Sequence, residues 1–188
     1  MQSKNIYKIL CITKVSHIHG LNKILCSTGS VKFLEDPSYN QVKKIIHKFD
    51  AIFTNPNKTR VLLDEKLIKL AKKLKVICTA STGTNHIDIS FAKKQKIKVI
   101  SLKEERNIIS KISSTAELAF SFTLLSIRNI FQANQSVNRG EWDYSKHIGR
   151  QLNSLTIGII GFGRLGKFYS RYCKAFKCKL LVYDPYKK

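Results

Sequence analysis

Three glycines carry the clearest chemical signal in the chain. Gly161-Phe162-Gly163-Arg164-Leu165-Gly166 follows directly on a short apolar run holding Ile157, Ile159 and Ile160. That run reads as a parallel strand buried on both faces. Gly161 permits a sharp turn, Gly163 lets the backbone approach a pyrophosphate with no side chain between, and Gly166 lets the next helix pack close to the strand. A helix from about Arg164 to Phe176 would aim its free N–H groups and positive dipole end at that phosphate. The following strand, Leu180 to Tyr183, ends in Asp184, which lies 18 residues past Gly166. That is close to the spacing of about 20 at which an acid meets the adenosine ribose hydroxyls. Six residues with three glycines could be no more than a flexible loop. Strand, turn, helix, strand and acid in series point to a dinucleotide site, and a carboxylate at Asp184 favours NAD over NADP because a 2′-phosphate would meet like charge.

Whatever holds this turn in place must come from 188 residues, of which 43% are hydrophobic, enough for a packed core in one domain or two. No uninterrupted apolar run approaches the roughly 20 residues that span a bilayer, and the first residues lead into a strand without a signal-peptide pattern. A cytoplasmic location is expected, with no membrane partner. Cys11, Cys26, Cys78, Cys173 and Cys178 sit mostly in apolar runs without a Cys-x-x-Cys pair or clustered histidines. They read as reduced, buried thiols, and no metal site is expected. The formal charge of +22 invites a nucleic-acid partner. The basic residues are mostly lysine, however, and are spread over nearly every segment with no arginine-rich arm and no basic stripe interleaved with aromatics. A solvated lysine surface accounts for them better.

Taken in order, Ile6 to Ile12 reads as a strand, and a polar connection through His17-Ile18-His19-Gly20 leads to a weaker strand at Val31 to Leu34 that Pro37 ends. A helix from about Asn40 carries Val42, Ile45, Ile46 and Phe49 at helical spacing, and Ala51 to Thr54 is a short strand followed by a turn at Asn55-Pro56-Asn57. Asp64 opens a helix with Leu67, Leu70, Ala71 and Leu74 on its apolar face, before the strand Val76 to Thr79. Ser81-Thr82-Gly83-Thr84-Asn85 breaks the pattern. A short helix from about Asp88 to Lys94 and a strand Val99 to Leu102 complete five strands with helical connections, a compact α/β unit on a parallel sheet. Lys103 to Ser113 is polar and forms the crossing. Ser114-Thr115-Ala116-Glu117 has the pattern of a capping box opening the longest helix, whose apolar positions run through Phe120, Leu124, Ile127, Ile130 and Phe131 until Asn138-Arg139-Gly140.

Several of these blocks coincide with one family. Thr84-Asn85-His86-Ile87-Asp88, Thr115-Ala116-Glu117, Arg128-Asn129-Ile130, Arg139-Gly140-Glu141-Trp142, and Gly158 to Gly166 with Tyr183-Asp184-Pro185 together resemble the D-isomer-specific 2-hydroxyacid dehydrogenases, over essentially the whole chain. The resemblance implies an α/β protein: a flavodoxin-like substrate domain over residues 1–105, then the first part of a Rossmann-type NAD-binding domain over 106–188, with the active site in the cleft between domains. It implies NAD as cofactor, a small 2-hydroxy or 2-keto acid as substrate, and a homodimer formed through the long helix and the irregular arm around Trp142. Residue by residue, Ser81, Thr82 and Gly83 fall in the loop that offers backbone N–H groups to the substrate carboxylate. An ordinary strand-to-helix turn explains those side chains equally well. Arg164 and Leu165 match positions that meet the pyrophosphate through the backbone, Arg164 being also a plausible solvated helix start. Asp184 and Pro185 close the ribose end. Thr115 matches a position near the nicotinamide, and its place in a helix cap is a sufficient alternative.

One departure from the family pattern outweighs these details. Similar enzymes polarise the keto group with an arginine and move the hydroxyl proton with a histidine tuned by a glutamate, all beyond the second strand of the nucleotide fold. Asp184 is followed here by four residues. His17, His19, His47, His86 and His147 do not match the family's histidine motif and read as surface or loop residues. No catalytic residue is therefore assigned, and the expectation is an inactive amino-terminal portion with only two strands of its nucleotide sheet. Two other readings stay open: a non-catalytic NAD-sensing module of the same fold, and, with less in its favour, a basic nucleic-acid binder.

Overall fold

The computed structural model describes residues 7–56 and 60–187. The ends of two expected features, Ile6 of the first strand and Asn57 of the turn, lie outside them. The chain divides into two compact units, residues 1–109 and 110–188.

In the first unit, β1 (Lys8–Cys11), β2 (Ser30–Phe33), β3 (Ala51–Thr54), β4 (Val76–Thr79) and β5 (Lys98–Ser101) form one sheet. Its order is β2-β1-β3-β4-β5, with every pair parallel. This is the flavodoxin-like arrangement that the sequence led us to expect. Side chains alternate across the sheet. Leu10, Ile52 and Ile77 turn to one face and pack with Val42, Ile46, Leu67, Ile68 and Ala71 in the main core. These come from α2 (Tyr39–Ile45), the 3-10 turn Ile46–Lys48 and α3 (Glu65–Leu70), and α4 (Ile89–Lys94) adds Ala92. Two caps set the registers of these helices. The Ser38 hydroxyl accepts the Gln41 N–H while the Gln41 side chain accepts the Ser38 N–H, and Asp64 accepts the Leu67 N–H at 2.8 Å.

Several local expectations need correction. The connection before β2 contains a helix, α1 (Leu21–Thr28), which starts from Gly20 in the left-handed region without a side-chain cap. Its Leu21 and Leu25 cover the other sheet face at Cys11, Val15 and Phe53. On α3 Ile68 turns inward beside the expected Leu67, while Leu70 is exposed. The supposed polar crossing holds a short helix, α5 (Arg106–Ile109). Cys26 is exposed and only Cys11 and Cys173 are buried, all five being free thiols.

The second unit is built on α6 (Ser114–Ile127), α7 (Ile130–Asn138), β6 (Thr156–Ile160), α8 (Arg164–Ala175) and β7 (Lys179–Tyr183). Ser113, not Ser114, is the N-cap of α6, and its hydroxyl donates to the Glu117 carboxylate instead of capping a backbone N–H. The expected capping box therefore does not form. The long helix is also broken. Asn129 takes φ +51°, its side-chain amide donates to the Ile148 carbonyl at 3.1 Å, and the Arg150 N–H takes the Ile127 carbonyl that would continue the helix. Asparagine tolerates this left-handed conformation better than most residues, and Gly149 fits where a Cβ would come within 2.6 Å of the backbone of Ile127 and Arg128. Beyond the break, Ile130 and Phe131 are exposed.

β6 and β7 pair in parallel from Thr156↔Lys179 to Ile160↔Tyr183. They are covered on one side by a core of Phe120, Leu152 and Cys173 with Tyr169, Tyr172, Ile157 and Leu180. The Phe120 ring meets Tyr169, Tyr172 and Phe176 at centroid distances of 5.2–5.9 Å. β6 is not buried on both faces. Ile157 packs against this core and Ile159 is buried, while Ile160 is 88% exposed, because no third strand or second helical layer lies beside it among the described residues.

By length and composition alone, the stretch Arg106–Ile127 is apolar enough to cross a membrane. The stretch is two helices parted at 110–113. The 14 residues of α6 rise about 21 Å, short of a hydrocarbon core of about 30 Å.

The burial pattern gives a direct test. Ile77→Ala should cost the first unit about 2–5 kcal/mol, because it opens a cavity in a fully packed site. Ile160→Ala should move the second unit by no more than about 0.5 kcal/mol. Hydrogen exchange in β4 and β6 under graded urea reads the two separately, and equal losses would show that the core has been misplaced.

Candidate functional site

In the second unit the peptide chain leaves β6 through Gly161, whose φ of +94° is open to glycine at no steric cost. The Gly161 N–H donates to the Tyr183 carbonyl at 2.7 Å, so the turn is tied to the end of β7. Gly166 is required for another reason: a Cβ there would stand 2.2 Å from the Gly161 carbonyl oxygen, and only a missing side chain lets α8 start this close to the strand. Gly163, the N-cap of α8, has an ordinary φ of −72°. A Cβ on it would meet nothing within 4 Å. Neither strain nor packing within the chain demands glycine there, which leaves open space over the turn as the consequence of having it.

Around that space lie unused donors. The first helical bond of α8 runs from the Lys167 N–H to the Gly163 carbonyl. The N–H groups of Arg164, Leu165 and Gly166 have no acceptor among the described residues. A helix start with free N–H groups, a positive dipole end and room above it fits a pyrophosphate.

Asp184 closes the turn from the β7 side. Its carboxylate accepts the Phe162 N–H at 2.6 Å and the Tyr186 N–H at 2.9 Å. Those two bonds hold its pKa below the usual carboxylate range, Phe162 contributing most and the Lys187 charge adding a little. The acid is thus ionised and fixed at the carboxyl end of the strand, where the sequence placed a ribose partner. Pro185 follows it on the surface. Lys187 donates to the Phe162 carbonyl and sits 5.4 Å from the Phe162 ring centroid.

Leu165 is half-buried in the first turn of α8. Arg164 is more than a solvated helix start, since its guanidinium donates to the Ile112 carbonyl and ties the glycine turn to the segment entering α6. Thr115, one residue into α6, is exposed, and no hydrogen bond joins it to the turn among the described residues.

Ser81, Thr82 and Gly83 lie in the first unit, at the carboxyl end of β4. Here, too, backbone donors are free: among the described residues the N–H groups of Ser81, Thr82, Gly83 and Thr84 find no acceptor. Consecutive unpaired N–H groups outside the carboxyl end of a parallel strand are the donor type from which anion sites are built. The side chains brace the loop from beneath. The Ser81 hydroxyl donates to the Gly83 carbonyl at 2.5 Å, Thr79 Oγ1 lies 3.3 Å from Ser81 Oγ, and His86 Nε2 lies 3.1 Å from Thr79 Oγ1. His86, expected as a surface or loop residue, is in the loop but buried, and burial lowers its pKa. Sequence reasoning took Thr79 only as a strand end and His86 only as a surface or loop residue. The available signal was a polar residue ending a buried strand with a histidine seven positions later, too common a pattern to single out.

Free helix-start donors, room at Gly163 and a fixed acid at the end of the second strand define the first βαβ unit of a dinucleotide-binding fold. Residues 12–141 match the family described as D-isomer specific 2-hydroxyacid dehydrogenase, catalytic domain, and residues 120–188 match its NAD binding domain; the chain belongs to the D-isomer specific 2-hydroxyacid dehydrogenases. It is 34% identical over 149 residues to D-3-phosphoglycerate dehydrogenase of Archaeoglobus fulgidus, covering 79% of this chain and 27% of that one. To hydroxypyruvate reductase of Thermotoga maritima it is 33% identical over 148 residues, 79% of this chain and 46% of the relative. Among solved structures, D-lactate dehydrogenase from Aquifex aeolicus, complexed with NAD and lactic acid, superposes with a TM-score of 0.77 at 27% identity, over 96% of this chain and 52% of that one. The chain thus spans between about a quarter and about half the length of these relatives.

The three glycines should separate in experiment. Gly163→Ala should fold normally and weaken NAD binding by about tenfold, roughly 1.4 kcal/mol, by filling the phosphate space. Gly166→Ala should disturb the turn itself, lowering hydrogen-exchange protection in β6 and α8. A Gly163→Ala chain that binds NAD unchanged in calorimetry would show that the space above the turn is not the phosphate site.

Proposed function

We propose that these residues form the substrate-binding and cofactor-docking portion of an NAD-dependent oxidoreductase acting on the CH–OH group of a 2-hydroxy acid. The observation that supports this most is the pair of turns with free backbone N–H groups, one at the end of β4 and one opening α8, inside a chain of this family. NAD supplies the hydride acceptor. The residues of this chain hold and orient: Ser81, Thr82 and Gly83 take the substrate carboxylate through their backbone, Gly161, Gly163, Arg164, Leu165 and Gly166 shape the pyrophosphate site, and Asp184 with Pro185 bounds the adenosine ribose. Thr115 is assigned to the nicotinamide side. Among these 188 residues no arginine, glutamate and histidine match the family's acid–base set, so binding without turnover is the activity proposed for this portion by itself. A cytoplasmic location is part of the same proposal.

The same reading includes a homodimer. Phe131, Val137, Trp142 and Tyr144 expose apolar surface on α7 and the arm after it, Trp142 being 92% exposed. The last three, with Ala133, Ser136 and His147, border a cavity of about 430 Å³. The arm is held in a fixed shape, since Glu141 accepts from Arg139 at 2.9 Å and from the buried Ser136 hydroxyl at 2.7 Å, which together draw its pKa down to about 2. A large, ordered aromatic left in water is suited to a partner surface.

Titration of the 188-residue chain with pyruvate and with its uncharged amide tests the substrate assignment: the acid should bind and the amide should not, and mixing NADH with 2-keto acids should consume none of it. Equal binding of acid and amide would remove the carboxylate loop from the account, and turnover would show that the chain holds its own acid and base. Sedimentation at micromolar concentration should give a dimer that Trp142→Ala dissociates, and a monomer before mutation would end that part of the proposal.

A further inference from the structure

The polar chain beneath the β4 loop has only one consistent direction. The Ser81 hydroxyl has a single proton, and it goes to the Gly83 carbonyl, so toward Thr79 the Ser81 oxygen can only accept. The Thr79 proton is thereby committed to Ser81 across 3.3 Å. Thr79 Oγ1 can then only accept from His86 across 3.1 Å, which puts a proton on Nε2, and in the neutral ring that burial favours Nδ1 is bare. Nδ1 is buried without a partner among the described residues, which a bare nitrogen tolerates at less cost than a buried N–H. The backbone of His86 is anchored independently of its ring: its carbonyl accepts the Leu63 N–H, and the Asp88 N–H donates to the Leu63 carbonyl, both at 2.9 Å, in a parallel bridge of Leu63 with Ile87.

We infer that His86 is a positioning residue for the anion loop, acting through Thr79 and Ser81 to hold the Gly83 carbonyl inward and so turn the Thr84 N–H, on the opposite edge of the same planar peptide, away from the chain and toward the substrate carboxylate. Burial, which lowers the His86 pKa, keeps the ring neutral, as this relay requires. Without the relay, the Gly83–Thr84 peptide is free to rotate, glycine offering little resistance on its side, and the donor is no longer aimed in advance. The role is indirect: His86 acts through Thr79 and Ser81, and its effect is confined to binding the carboxylate.

The inference rests on the proposed carboxylate role of the loop, and the experiment separates the two. Long-range proton–nitrogen correlation on the 188-residue chain at neutral pH should show His86 protonated on Nε2 alone; an Nδ1–H tautomer or an imidazolium would overturn the relay whatever the loop binds. Calorimetric titration with pyruvate then compares three variants. Thr79→Val, which keeps the shape and removes the hydroxyl, and His86→Leu should each weaken pyruvate about fivefold, the worth of one well-aimed hydrogen bond, and leave NADH affinity unmoved. His86→Gln, whose amide can donate in place of Nε2–H, should recover binding to within about twofold. Unchanged pyruvate affinity in a folded Thr79→Val chain, or no recovery with glutamine, overturns the positioning role. Failure of the unmodified chain to prefer pyruvate over its amide counts instead against the carboxylate reading, and with it against any role for His86 in substrate binding.

Discussion

The bond from the Phe162 N–H to the Asp184 carboxylate is the interaction on which the nucleotide end of this protein depends. A turn that presents its N–H groups to a ligand cannot also spend them on itself, so it must be fixed by something else. Here a charged acceptor on the next strand takes one donor of the turn, and the Gly161 N–H is given to the Tyr183 carbonyl beside it. The remaining donors at the start of α8 stay unpaired among the described residues, as the proposed phosphate site requires. Gly166 allows the helix to begin against the Gly161 carbonyl, and the core around Phe120 and Cys173 keeps α8 pressed onto the strand pair.

The first unit meets the same constraint with different groups. Its loop after β4 also leaves consecutive N–H groups free, and it is steadied from below by hydroxyls and an imidazole rather than by a carboxylate. The choice suits the charge of the ligand. Under the proposed carboxylate role, an acid beneath this loop would repel the ligand, whereas neutral Ser81, Thr79 and His86 do not. At Asp184 the proposed task is the opposite, to accept ribose hydroxyls and refuse an extra phosphate, and there an ionised acid is the useful group.

Much of this architecture could be read from the residue pattern, because the informative features are local. The strands β1, β3, β4 and β5 are apolar runs bounded by breakers, Asp64 and Asp88 cap their helices as their positions suggest, and the glycine turn needs only its own sequence and its neighbours. The features that were missed depend on contacts distant in the chain. α1 has no capping side chain and begins at Gly20, so nothing local announces it. The break at Asn129 is imposed by Ile148 and Arg150 reaching back to the helix end. The exposure of Ile160 depends on which strands stand beside β6, which a β-branched run cannot specify. His86 is buried because Leu63 pairs with Ile87, a contact across 24 residues.

The central claim is that Asp184 both holds the turn and selects the cofactor, and competitive titration of NAD against NADP tests it most directly. The account predicts that the chain prefers NAD by at least about tenfold, and that Asp184→Ala weakens NAD, through a looser turn and a lost ribose partner, while narrowing the ratio to near unity. Equal affinity for NAD and NADP in the unmodified chain, or a ratio unmoved by Asp184→Ala, would contradict it.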